Sequence, residues 1–321
     1  MVNFVHDPAF LNPLNNPIFY PLLARFVGTF LAGFILIWIL NKFKLKDIWQ
    51  GNLGKRYISW LVIGFLFMLF ILLGGYPALG FLLVFMILAL WEVGKMAKLP
   101  KMYYWALYVL AFAGIGVTVF FIDKFYILPI MFFAVLTTLT VRRNDTKGFF
   151  YLATSLYASI WIIFFLCHFI LLGYLNNGLD NTKSLLFMIG FAVPLADIGA
   201  YVIGKQMAKI KFLSKYKIAS NISPNKIWAG ILGNIAGAGI GIWIMSFAIK
   251  NYFSLTQMII LAVIIGVFSA IGDMNESLVK RYFNRKDSSD LIPGHGGILD
   301  RIDSVMRVIV VVYYFMLIVL A

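Results

Sequence analysis

Residues 277–303 read SLVKRYFNRKDSSDLIPGHGGILDRID, a charge-dense stretch set between two of the most apolar segments of the chain. Lys280, Arg281, Arg285, Lys286 and Arg301 stand there against Asp287, Asp290, Asp300 and Asp303, and His295 lies inside a Pro-Gly-His-Gly-Gly turn. An ionisable group beside hydrocarbon costs several kcal/mol when unpaired, so membrane proteins keep such groups where chemistry or transport needs them. The contrast between this stretch and its neighbours therefore decides the fold class and points to the site together.

Outward from that stretch, the apolar runs recur along all 321 residues. The chain is 62% apolar, 17% aromatic and 12% charged, against roughly 25% charged residues in soluble domains. A spanning helix needs about 20 mostly apolar residues. The pattern predicts an all-α polytopic integral membrane protein with ten helices, at about 19–40, 57–74, 77–94, 103–122, 125–141, 149–174, 184–204, 227–249, 254–273 and 304–321. Nine is the nearest alternative, because Arg25 interrupts the first run and only Gly74-Gly75-Tyr76-Pro77 divides the stretch from 57 to 94.

The formal charge of +14 does not indicate nucleic acid, because it alternates by loop. All but five of the 27 lysines and arginines lie in the segments 41–56, 95–102, 142–148, 205–226 and 274–303. That is the positive-inside pattern, which puts these loops in the cytoplasm and both termini outside. Arg25 and Arg307 fall near helix ends, where snorkelling or a carboxylate partner is expected. Cys167 is alone, which excludes a disulfide framework, and no basic segment precedes the first apolar run as a cleavable signal would require.

Polarity divides the chain into an N-terminal scaffold, 1–183, and a chemistry-bearing region, 184–321. In the first part Glu92 is the exception, and its spacing to Lys95 and Lys98 suits helical ion pairs. In the second, Asp197 sits in a spanning segment beside Pro194. Gly199 to Lys205 approaches a phosphate-binding loop, but Gln206 replaces the hydroxyl residue and the glycines lie on a membrane helix. Ser223-Pro224 reads as the cap and first position of a helix, whose free amides, with Lys226 one turn in, would suit an anion. Gly230, Gly233, Gly237 and Gly241 then recur at spacings that let membrane helices approach closely.

Asp273 is placed at the end of the ninth helix, and Asp300 and Asp303 open the tenth, one turn apart on one face. Such a set suits a hard divalent cation, which takes one or two carboxylates plus substrate phosphates and waters. The alternative is that Asp300 and Asp303 cap the helix and pair with Arg301 and Arg307. The basic residues suit phosphates or, alternatively, anionic head groups. His295 can donate to an anion, and Gly294, Gly296 and Gly297 permit a backbone path that brings amides to a ligand. The chain has no Gly-x-Ser-x-Gly to support an acyl hydrolase and no Cys or His grouping for zinc; His6 and His168 read as incidental.

Ser277-x-x-Lys280-Arg281, Lys286-Asp287, Pro293-Gly-His295-Gly-Gly297 and Asp300-Arg301-x-Asp303 together resemble the signature of the phosphatidate cytidylyltransferases, or CDP-diacylglycerol synthases. The likeness continues upstream through Gly272-Asp273, Ser223-Pro-x-Lys226 and Asp197-x-x-Ala-Tyr201-x-x-Gly204-Lys205, so it covers about 190–321. It implies condensation of CTP with phosphatidic acid in a cell membrane, at a site facing the cytoplasm, to give CDP-diacylglycerol and pyrophosphate. By position, Asp273, Asp300 and Asp303 would hold Mg²⁺, with room for a second cation, and Lys226 and His295 would join them in catalysis. Asp197, Lys205, Ser223, Lys280, Arg281, Lys286, Asp287, Gly296, Gly297 and Arg301 would bind substrate. The implied partners are CTP, phosphatidic acid and the bilayer, without nucleic acid, and the resemblance admits a homodimer.

One departure stands out. Where the family continues Ser-Pro-x-Lys with Thr-Trp-Glu-Gly, this chain has Ile227-Trp228-Ala229-Gly230. It leaves open a divergent paralogue acting on another lipid phosphate. A transporter or non-catalytic scaffold is the alternative from a different class, although no repeat relates the two halves as transporter folds often require.

Overall fold

A computed structural model describes residues 14, 16–40, 52–175, 183–210, 212, 215–250, 252–292 and 296–320. Among the described residues ten long helices follow one another: α1 Phe19–Leu40, α2 Asn52–Leu73, α3 Gly75–Met96, α4 Lys101–Phe120, α5 Leu128–Arg143, α6 Gly148–Tyr174, α7 Lys183–Met207, α8 Ala229–Ile249, α9 Leu255–Tyr282 and α10 Leu299–Leu320. Among the described residues, nine are long and apolar enough to cross a membrane. The tenth is α2, whose apolar part is the shorter run Tyr57–Leu73 because its first turns carry Lys55 and Arg56. The all-α reading holds, and each of the ten expected runs has its helix.

The break between α2 and α3 lies where the sequence placed it. Gly74 and Gly75 adopt φ of 63° and 46°, in the left-handed region open to glycine, and a new helix starts with Pro77 in its first turn. Across the fold, the Lys183 ammonium donates to the Leu72 carbonyl at 2.8 Å. A cation thus meets the carbonyl end of α2, where the helix dipole favours it.

Two boundaries differ from expectation. The ninth helix does not stop at Asp273 but runs on to Tyr282, so Ser277, Lys280 and Arg281 are helical rather than part of a loop. Hydropathy falls there, but the polar residues find partners along the helix: Lys280 meets Glu276 one turn earlier at 2.6 Å. The Ser223-Pro224 helix start is also corrected. Residues Ser223–Ile227 form a strand, β2, paired antiparallel with β1, Lys217–Ala219, in the register Lys217↔Ile227 and Ala219↔Ser223. Helix α8 begins only at Ala229. A residue before proline is steered to extended backbone, and with a facing strand available the extended form wins.

The glycine stripe does pack helices. A methyl group added at Gly233 would run into the Gly199 carbonyl, one at Gly237 into the Leu195 carbonyl, and one at Gly241 into Ala192, so α8 lies against α7 backbone to backbone. At Gly272 the approach is of the same kind: an added Cβ would lie 2.6 Å from Ser304 Cα on α10. These contacts gather α7, α8, α9 and α10, the helices that carry the polar residues, into one unit. The scaffold helices bury Tyr103, Phe132 and Leu107 completely, while Trp105, Phe112 and Trp243 remain exposed, as befits a surface that meets lipid.

Candidate active site

Close packing at Gly272 sets Asp273 of α9 beside α10. Asp273 Oδ1 accepts from the Ser304 hydroxyl at 2.7 Å, and Oδ2 accepts from the Lys226 ammonium at 2.7 Å. Its carboxyl group also contacts that of Asp303, one residue before Ser304. Two carboxylates in contact repel unless a proton or a cation lies between them. Asp197 of α7 adjoins the pair, its Oδ1 accepting from Ser269 at 2.8 Å. Lys226 reaches Asp273 from β2, so the hairpin, rather than a helix N-terminus, delivers the positive charge expected at this position.

Asp300 is occupied differently. Its Oδ1 accepts from Lys280 at 2.5 Å, while Oδ2 accepts from the Ser288 amide at 2.9 Å, the Ser288 hydroxyl at 2.6 Å and the Gly297 amide at 2.8 Å. Lys280 in turn lies between Asp300 and Glu276, and all three are buried or nearly so. Glu276 had no place in the sequence reading; its spacing of four from Lys280 was the available signal. Among the described residues no three acidic or imidazole groups gather as a ready cage for a metal. Oxygen donors from Asp273 and Asp303 nevertheless fit the habit of Mg²⁺, which uses one or two carboxylates and completes its shell with phosphates and water.

The backbone at Gly296 and Gly297 explains the glycines. Gly296 has φ of +81°, and a Cβ there would lie 2.7 Å from Asp300 Oδ2. A Cβ on Gly297 would collide with Ser288 Oγ and Glu92 Oε1. The Gly297 amide serves Asp300. Glu92, on α3, is wholly buried and reaches this same segment: its carboxylate accepts from Ser288 Oγ, Ser289 Oγ, Ile298 N and Leu299 N at 2.9, 2.6, 2.9 and 2.8 Å. The expected pairing of Glu92 with Lys95 and Lys98 is thereby corrected; the Lys95 ammonium lies 4.7 Å from the centre of the Trp91 ring instead. Ser289 and the two amides donate to this buried carboxylate and Ser288 shares its one proton between it and Asp300, whereas Lys95 and Lys98 are exposed.

The remaining expected residues separate. Lys286, Asp287, Gly296 and Arg301 line a cavity of about 910 Å³, together with Asp197 and Asp290. Its walls are hydrocarbon and aromatic, from Phe26 and Phe30 of α1, Tyr57 and Phe67 of α2, and Phe187 and Phe191 of α7. Arg281 points elsewhere: it is exposed and donates to the Arg285 carbonyl at 3.0 Å, closing the end of α9. Lys205 is exposed two turns beyond Asp197, its ammonium 5.6 Å from the centre of the Tyr201 ring. Ser223 lies on β2, three residues before Lys226. His295 falls outside the described residues. Ile227 is buried, and neither it nor Ala229 lines the cavity.

The chain is similar in sequence to known proteins. The sequence pattern of the cytidylyltransferase family matches residues 54–319. A phosphatidate cytidylyltransferase of Synechocystis sp. is 38% identical over 144 residues, 43% of this chain and 45% of that protein. The phosphatidate cytidylyltransferase of Bacillus subtilis is 28% identical over 272 residues, 82% of this chain and 97% of its own. The uncharacterized protein YnbB of Escherichia coli is 28% identical over 303 residues, covering 92% of this chain and 98% of the relative. The match to the Synechocystis protein thus spans less than half of that protein's length, whereas the two longer alignments extend to both halves of the chain.

Proposed function

The chain belongs to the cytidylyltransferase family, and we propose that it transfers CMP from CTP to phosphatidic acid, giving CDP-diacylglycerol and pyrophosphate for phospholipid synthesis. The observation that carries this reading is the cavity, which is lined both by Lys286, Asp287 and Arg301 of the signature and by apolar side chains of α1, α2 and α7. Such a space suits a molecule with a phosphate at one end and hydrocarbon at the other. The relatives named phosphatidate cytidylyltransferase support the same substrate.

In the proposed reaction, a phosphate oxygen of the lipid attacks the α-phosphorus of CTP, a new P–O bond forms, and the bond to the β-phosphate breaks as pyrophosphate leaves. No protein nucleophile is required. Lys226 holds positive charge 2.7 Å from Asp273, at the edge of the site where phosphates would arrive. Asp273 and Asp303 are the residues that would hold Mg²⁺, whose contribution is to neutralise charge on the departing pyrophosphate. Asp300 and Lys280 keep the start of α10 in place. The basic segments 95–102, 142–148, 205–226 and 274–303 support a cytoplasmic site, on the side where CTP is made.

Purified protein given labelled CTP, phosphatidic acid and Mg²⁺ should form a CDP-lipid and release pyrophosphate, and Asp273→Asn should abolish both. Folded, metal-replete protein that forms no CDP-lipid would overturn the reading. A divergent lipid preference is the second outcome to be distinguished, by offering other lipid phosphates at fixed CTP. Ile227 is buried and does not line the cavity, which favours phosphatidic acid because the altered residue does not face the proposed substrate space.

A further inference from the structure

Glu92 lies in the half of the chain that carries none of the signature, yet four donors on or beside the signature segment converge on its carboxylate. Two are the amides of Ile298 and Leu299, at the start of α10, where helix N–H groups lack partners within the helix. A carboxylate there satisfies them and lies favourably in the helix dipole. The other two are the hydroxyls of Ser288 and Ser289, on the far side of the turn. One side chain therefore ties together both ends of a segment of the signature.

The tie continues toward the reaction centre. Ser288 Oγ lies 2.9 Å from Glu92 Oε2 and 2.6 Å from Asp300 Oδ2, so its one proton is shared between two carboxylates and links them. Asp300 meets Lys280, and Asp303 follows one turn later on the same helix, against Asp273. Wherever Glu92 sets the first turn of α10, Asp300 and Asp303 follow.

We infer that Glu92 is a positioning residue of the transferase: from α3 it fixes the start of α10 and so sets the placement of Asp303 against Asp273. The inference rests on the cytidylyltransferase reading for its catalytic consequence only. Glutamine at this position offers one acceptor oxygen where two are used. The hydroxyls of Ser288 and Ser289 can turn and accept from its amide, but a backbone N–H cannot, so one of the two helix amides loses its partner. Aspartate keeps the charge and is one methylene too short.

The test uses the full chain in detergent or nanodiscs, comparing Glu92→Gln and Glu92→Asp with the parent by hydrogen exchange, by kcat per folded molecule and by Mg²⁺ titration. Exchange should rise in peptides containing Ser288, Ile298 and Leu299 while α4 and α5 keep their protection. The kcat per folded molecule should fall at least tenfold, with half-activation by Mg²⁺ moving at least threefold upward, and Glu92→Asp should not rescue it. A role confined to folding would lower yield and leave kcat per folded molecule within twofold of the parent, which would overturn the inference. If the parent itself turns over no CTP, the transferase reading fails, and the exchange arm still decides: unchanged protection at Ser288 and Ile298 overturns the placement by Glu92, and a local loss upholds it.

Discussion

Lys226 on β2 and Asp273 on α9 form a direct ion pair at 2.7 Å, with side chains 29% and 30% exposed. Partial exposure keeps the ammonium within reach of an arriving phosphate. Lys226→Ala should therefore lower kcat by roughly 10²-fold, the scale seen when one group stabilising developing charge is removed. Stability should change little, because the pair is open to water. Steady-state kinetics beside thermal unfolding of the same preparation checks both halves of the expectation.

Asp300 and Asp303 are one turn apart and should fail in different ways. Asp300 is held by Lys280, by Ser288 and by the Gly297 amide. Asp300→Asn leaves Lys280 with a single carboxylate and should cost about 3 kcal/mol of stability, as breaking a buried pair does. Asp303→Asn removes one of two carboxylates in contact, and should spare stability while raising the Mg²⁺ concentration needed for activity. Denaturant unfolding in mild detergent and metal titration separate the two variants; equal losses of stability would contradict the distinction.

Gly33 lines the cavity with nothing within 4 Å of an added Cβ. Gly33→Leu should therefore fold normally and project a side chain into the space proposed for hydrocarbon. Turnover of phosphatidic acid with long acyl chains should fall more than turnover of a short-chain analogue, by roughly 10-fold, a discrimination of the size a methylene or two commands in an apolar pocket. Equal effects on both lengths would remove acyl chains from this part of the cavity.

The α7–α8 contact gives a stability test. An added side chain at Gly233 meets the Gly199 backbone, whereas at Gly239 the nearest neighbour is Ala262 Cβ at 3.8 Å. Gly233→Val should destabilise by about 3 kcal/mol or more, because backbone cannot yield as a side chain can. Gly239→Ala should be neutral or stabilising by up to about 1 kcal/mol, from reduced chain freedom and better helix propensity. Unfolding midpoints of the two variants in one detergent provide the measurement.

The helices were readable because their signal is local: each spanning run declares itself by length and apolarity, and Gly74-Gly75 marks a break with residues that only glycine suits. The identity of the polar residues was likewise legible, and Asp273, Asp303, Lys226 and Asp197 do assemble. What could not be read was how polar groups divide among partners. Hydropathy ended α9 at Asp273 because a polar helix extension looks like a loop until Glu276 and Lys280 are seen to pair. Ser223-Pro224 carries the local chemistry of a helix cap, and the strand Lys217–Ala219 that overrides it is a tertiary fact. Glu92 was judged by its neighbours Lys95 and Lys98, while its actual partners lie about two hundred residues away.

Lys183 meeting the Leu72 carbonyl and Glu92 meeting Leu299 have a consequence for anyone who would recombine this protein with a relative. A crossover near residue 183 follows the boundary that composition suggests, and would carry the whole signature into the chimera intact. It would leave Lys183 with Leu72 but part Glu92 from the amide of Leu299. The transferable unit is therefore larger than the signature: a graft that is to keep its own geometry must bring α3 with it, and the matching of Glu92 to Ser288 and Ser289 is what a designer should inspect first.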